Sequence, residues 1–152
     1  MHAANSNFTP GRDADVAAIT TLVRVLETAQ AWRDAEAFAL LFWPDAVWTT
    51  GTGCRLTGLA EISAFARRTL TQDAGDAFAS YSIEQITFPE AAIAIVPLHQ
   101  RQHLGDGSPI AVDPESRPLL ILAKRHSLWK IAAGQNTPVR EEGDAVAVGW
   151  AD

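Results

Sequence analysis

Apolar positions recur at three- and four-residue spacing through Val16, Ile19, Leu22, Val23, Leu26 and Ala29. That is the stripe of an amphipathic helix, which Asp13 or Asp15 can cap and which runs to about Trp32. Asp34 then precedes a short helical run through Glu36, Ala37, Phe38, Leu41 and Phe42, which Pro44 is expected to stop. Asp45 opens a strand, Ala46 to Thr50, rich in β-branched and aromatic residues, and Gly51, Gly53 and Gly58 punctuate its exit. A third helix is expected over Leu59–Leu70, with Ile62, Phe65 and Ala66 on its apolar face. Glu61 sits in its first turn and Arg67 and Arg68 near its end, as the helix dipole favours. From Phe78 onward the period changes to that of strands: 78–88, 91–103, 119–125 and 128–137. Pro89-Glu90 reads as a turn and 104–118 as a long loop. Residues 1–12 read as a frayed tail, 13–139 as one domain and 140–152 as an acidic tail. Three helices followed by antiparallel strands predict an α+β fold, a curved antiparallel sheet with the helices packed on one face.

Composition narrows the function. The chain has 152 residues, 47% of them hydrophobic, which suits one domain with a real core. Its formal net charge of −6, with no basic run, argues against nucleic-acid binding. No apolar run approaches the roughly 20 residues that span a bilayer. The first twelve residues lack a signal-peptide core, and Cys54 is the single cysteine. These features predict a cytoplasmic protein without an intrachain disulfide or a membrane partner.

Two segments carry a resemblance. The first holds Trp32, Ala37, Phe38, Leu41, Phe42, Asp45, Ala46, Thr57, Gly58 and Ile62. The second is the closing Trp129, Ile131, Ala132, Ala133, Gln135, Asn136, Thr137, Pro138 and Val139. Over about residues 13–139 the chain resembles the superfamily of nuclear transport factor 2, ketosteroid isomerase and the SnoaL-like polyketide cyclases. Its closing segment looks like the SgcJ/EcaC subgroup, some members of which sit in enediyne and other polyketide pathways. The resemblance implies a cystatin-like cone, a deep pocket between the helices and the concave sheet, and a dimer. It implies no single activity, because one fold hosts many. The position matched to the general-base carboxylate of the isomerases carries Thr50, and the strand 119–123 supplies no second acid, so isomerase chemistry of that kind is not expected.

The candidate site residues follow from strand parity and bulk. Trp32, Phe38, Trp48 and Phe65 read as core that merges with the pocket wall. His99, Arg101 and His103 alternate on one face of a strand, facing either the cone or a dimer interface. Gln135 and Asn136 close the last strand, and one must point inward, where an amide can both donate and accept. Gln135 shares simple alternation with Ile131 and Ala133, so it is the one expected to reach the cone, opposite Trp48. Asp34 reads as a helix cap, Cys54 as an inert thiol, and Gly51-Thr52-Gly53 as a turn without the Lys-Ser/Thr of a phosphate loop. No metal spacing is present and no cofactor is implied.

The strands carry apolar residues on both faces: Ile93 and Ile95 against Ala94 and Val96, and Leu119 and Ile121 against Leu120 and Leu122. The chain's own helices cover one face. The other calls for a partner, so a homodimer through the sheet is expected. The functional expectation is binding of a hydrophobic, oxygenated small molecule, such as a polyketide intermediate, with any catalysis being cofactor-free proton transfer or cyclisation. The rival is a non-catalytic dimeric module with a vestigial, filled pocket.

Overall fold

The computed structural model describes residues 11–70, 78–104, 106 and 115–140. The expected tails and residues 71–77 lie largely or wholly outside these residues, as does most of the 104–118 loop.

Helix α1 (Asp13–Ala31) buries Ile19, Leu22, Val23, Leu26 and Ala29, the stripe read from the sequence. Neither aspartate caps it: Arg12 holds the N-cap position without a side-chain bond. Helix α2 (Ala35–Ala39) is capped as expected, the Asp34 carboxylate accepting from the Ala37 N–H at 3.0 Å. Helix α3 (Leu59–Leu70) buries Ile62 and Ala66. It starts where Gly58 takes a φ of +86°, a conformation that side-chain-bearing residues rarely adopt. The Glu61 carboxylate reaches back past the cap and accepts from the Thr57 N–H at 2.6 Å.

The seven described strands are β1 (Phe42–Thr49), β2 (Arg55–Thr57), β3 (Phe78–Ile83), β4 (Thr87–Glu90), β5 (Ile93–His103), β6 (Leu119–Arg125) and β7 (Leu128–Gln135). They form one sheet in the order β2-β1-β7-β6-β5-β3, with β4 also paired to β5. All pairs are antiparallel except β1 with β7.

Boundaries differ from the sequence reading in three main places. Strand β1 begins at Phe42, so Pro44 lies within it rather than ending a helix. The pairing of β2 reaches only Val47–Thr49, so Pro44 sits on an unpaired edge, where its missing N–H costs no ladder bond. The stretch 78–88 is two strands, because β3 pairs with 98–103 of β5 and β4 with 93–95. Pro89 and Glu90 belong to β4, and the turn falls at Ala91-Ala92.

The architecture is the expected α+β cone. Ala94, Val96, Leu98, Leu120, Leu122 and Ile131 point to the helix side and are fully excluded from solvent. Ile93, Ile95, Leu119 and Ile121 alternate with them on the outer face and stay half-buried.

Candidate functional site: an aromatic cone with an unmatched buried oxygen

Helices α1, α2 and α3 and the concave sheet leave between them a cavity of about 160 Å³. Its aromatic side comes from Phe38 of α2, Phe42 and Trp48 of β1, Phe65 of α3 and Tyr81 of β3. Leu26, Leu98, Leu120 and Ile131 supply the aliphatic side. Phe42 organises the rings, with centroids 5.2 Å from Phe38 and 6.0 Å, edge-on, from Trp48. Trp48 pairs with Gly134 across β1 and β7. A Cβ at Gly134 would stand 2.8 Å from the indole Cε3 and 2.9 Å from the Leu119 carbonyl oxygen, so only glycine lets the indole rest against the sheet.

Three polar side chains of the cone, those of Gln30, Thr50 and Tyr81, are paired within the chain. The Tyr81 hydroxyl donates to Gln30 Oε1 at 2.6 Å, and the Tyr81 N–H donates to the Glu27 carboxylate at 2.7 Å. Burial raises the Tyr81 pKa and the Glu27 charge adds to the rise, against a weaker downward pull from Gln30, so the phenol stays protonated. The Thr50 hydroxyl accepts from the Cys54 N–H at 3.1 Å and shares a hydrogen bond with Thr52 at 3.1 Å. Asn136 differs. Its backbone N–H donates to the Thr49 carbonyl at 3.0 Å, extending the β1–β7 ladder by one residue. Its side chain lies beside Gly51, where a Cβ would come within 3.4 Å of Nδ2. Its Oδ1 is buried and has no hydrogen-bond partner among the described residues. No described lining residue carries a carboxylate, imidazole, amine or guanidinium. Among the described residues no cluster is arranged to hold a metal ion, and no helix is long and apolar enough to cross a membrane.

Of the residues singled out from sequence, Phe38, Trp48, Phe65 and Asn136 meet in this cavity. Trp32, His99 and Gln135 do not. Trp32 follows the last turn of α1 and is 79% exposed, because the chain turns away from the cone there through Arg33 at a φ of +56°. His99 lies on the outer face, its Nε2 2.8 Å from Glu115 Oε2, with Arg101 3.4 Å from the other carboxylate oxygen. The His99 hydrogen bond, with Arg101 adding to it, holds the Glu115 carboxyl below the usual carboxylate range. Its carboxylate partner comes from the stretch read as loop.

Gln135 is exposed because β7 contains a bulge. Leu122 faces Ile131 but Ile121 faces Ala133, so Ala132 is an extra residue and parity flips beyond it. Gly134 and Asn136 inherit the inward positions. Sequence reasoning also passed over Gln30, Tyr81 and Gln100 as pocket residues, and took note of Thr50 only as the position where the isomerase carboxylate is missing. Gln30 and Gln100 did carry a signal: each continues an apolar face, Gln30 after Leu22 and Leu26, Gln100 after Val96 and Leu98.

No protein-family model and no curated protein matches this chain in sequence. Solved structures do match its fold. A domain of unknown function with a cystatin-like fold from Nostoc punctiforme superposes with a TM-score of 0.76 at 24% identity, over 88% of this chain and 81% of that one. A ketosteroid isomerase-like protein from Erwinia carotovora gives 0.68 at 14% identity, over 88% and 100%. The hexachlorocyclohexane dehydrochlorinase LinA-type3 from Novosphingobium barchaimii gives 0.69 at 18% identity, over 85% and 89%. The fold is therefore the cystatin-like, ketosteroid isomerase-like cone.

Proposed function

We propose that the protein binds a hydrophobic, oxygenated small molecule in the cone, of the chemical class that polyketide pathways, enediyne pathways among them, produce. The observation that carries this reading is the cavity itself. A vestigial pocket would be filled by its own side chains, whereas here aromatic rings wall an open space and polar groups are few. The resemblance of the closing segment to the SgcJ/EcaC subgroup supports the polyketide class. Fold neighbours such as the dehydrochlorinase support a small-molecule role for the cone in general. Cyclisation or proton transfer in this lining would have Tyr81 as its titratable group, and a protonated, high-pKa phenol donates a hydrogen bond rather than accepting a proton. Holding and orienting the ligand is therefore the role we assign to the cone.

We propose further that two chains pair through their sheets, which would cover Ile93, Ile95, Leu119 and Ile121, half-buried in the single chain. Sedimentation at micromolar concentration should show a dimer; a monomer would remove this part of the proposal. Native mass spectrometry of the protein mixed with extracts of its producer tests the ligand. A retained neutral small molecule that raises the unfolding midpoint is expected. The absence of any adduct, with an unmoved midpoint, would return the cone to a structural role.

A further inference from the structure

We infer that the group entering the cone is an uncharged ring bearing a hydroxyl or N–H donor, and that Asn136 Oδ1 accepts the hydrogen bond from it. This rests on the reading that the cone binds a ligand, and it narrows what that ligand is. Three observations converge. The first is size: about 160 Å³ is close to the cavity of roughly 150 Å³ that holds one benzene. One ring fits, and the rest of a larger ligand stays outside. The second is charge. The described lining residues are all neutral, so among them a carboxylate or ammonium would be desolvated with no counter-ion. The third is the hydrogen-bond inventory. Tyr81 is paired with Gln30, and the Thr50 hydroxyl with Thr52 and the Cys54 N–H. Asn136 Oδ1 is the buried side-chain acceptor that the described protein leaves unmatched. An acceptor in that state selects a ligand with a proton to donate, because an ether or bare hydrocarbon at the same place leaves it unpaired.

The probes are p-cresol, 4-methylanisole, toluene and 4-methylbenzoate, titrated calorimetrically against the whole chain at neutral pH. The expected order is p-cresol tightest, by about tenfold over 4-methylanisole and toluene, with 4-methylbenzoate weakest. In Asn136→Leu, p-cresol should lose its advantage over toluene while toluene still binds. Asn136→Ala is the second variant and should level the pair in the same way. Equal binding of p-cresol and 4-methylanisole by the unaltered protein, which needs no variant, would overturn the donor assignment while leaving the cone a binding site. So would a preference that survives both substitutions. Preferred binding of 4-methylbenzoate would overturn the neutral-ligand assignment. Failure of all four to bind would overturn both this inference and the binding function on which it rests.

Discussion

Asp15 and Asn136 are both polar side chains set against the sheet, and the chain treats them in opposite ways. Asp15, in the first turn of α1, accepts from Arg12 Nη1 at 2.8 Å, Lys124 Nζ at 3.0 Å and Trp129 Nε1 at 2.9 Å. One carboxylate thus ties the helix to β6 and β7, and it does not serve as the cap its position suggested. Asn136, just past the other end of β7, offers an oxygen that nothing in the described protein meets. A polar group that holds a fold together is fully matched inside the chain, because each missing bond costs stability. A polar group left wanting beside a cavity makes sense when its partner arrives from outside.

A large effect should come from breaking the matched site. Asp15→Ala strands the Trp129 N–H and removes the part-buried pairing with Lys124 and Arg12, and should cost about 2 kcal/mol in urea unfolding at neutral pH. A loss below about 1 kcal/mol would show that solvent replaces the carboxylate easily. Protonation should act in the same direction. The three donors, Trp129 first and Lys124 next, hold the Asp15 pKa at about 2, against an ordinary 3.8. A depressed carboxyl pKa means stability that is fully present above about pH 4 and is lost as pH falls toward 2. The lost part is about 2 kcal/mol. The stability gap between the unaltered protein and Asp15→Asn should therefore shrink over that interval; a gap independent of pH would contradict the assignment.

On the cone side, Gly134→Ala should push the Trp48 ring off the sheet and into the cavity. Overpacking of this kind costs about 2 kcal/mol, and ring-sized ligands should no longer bind. Retained binding in that variant would mean Trp48 is not the wall described. Tyr81→Phe sharpens the comparison within the cone itself. It leaves Gln30 Oε1 without its donor and should lower ligand-free stability by about 1 kcal/mol. An unchanged midpoint would place Gln30 in contact with water and weaken the distinction between paired and unpaired cone groups.

Much of this arrangement was legible in the sequence wherever a single period governs. The stripe of α1, the bounds of α3 and β6, the Asp34 cap and the inward Phe38, Trp48 and Phe65 all follow from spacing and bulk. What the sequence concealed are places where neighbouring strands decide. Pro44 reads as a helix stop until one knows that the adjoining edge of β1 is unpaired. Gln135 and Asn136 exchange faces because of one extra residue at Ala132, and a bulge leaves no mark on the alternation of Ile131, Ala133 and Gln135. His99 has a partner 16 residues away in sequence, in a segment without periodicity, so no spacing rule brings it to Glu115. Strand β2, three residues long, is too short for any periodic signal.

The central claim is that Asn136 keeps its side-chain oxygen for a ligand and not for the fold. The ligand-free unfolding midpoint of Asn136→Leu tests it most directly. A structural amide loses about 1 kcal/mol or more on such a change, a fall of roughly 2–4 °C for a chain of this size. An acceptor with no protein partner loses nothing when replaced by an apolar group of similar volume, so the midpoint should stay level or rise. A clear drop without ligand would contradict the claim and return Asn136 to the structure.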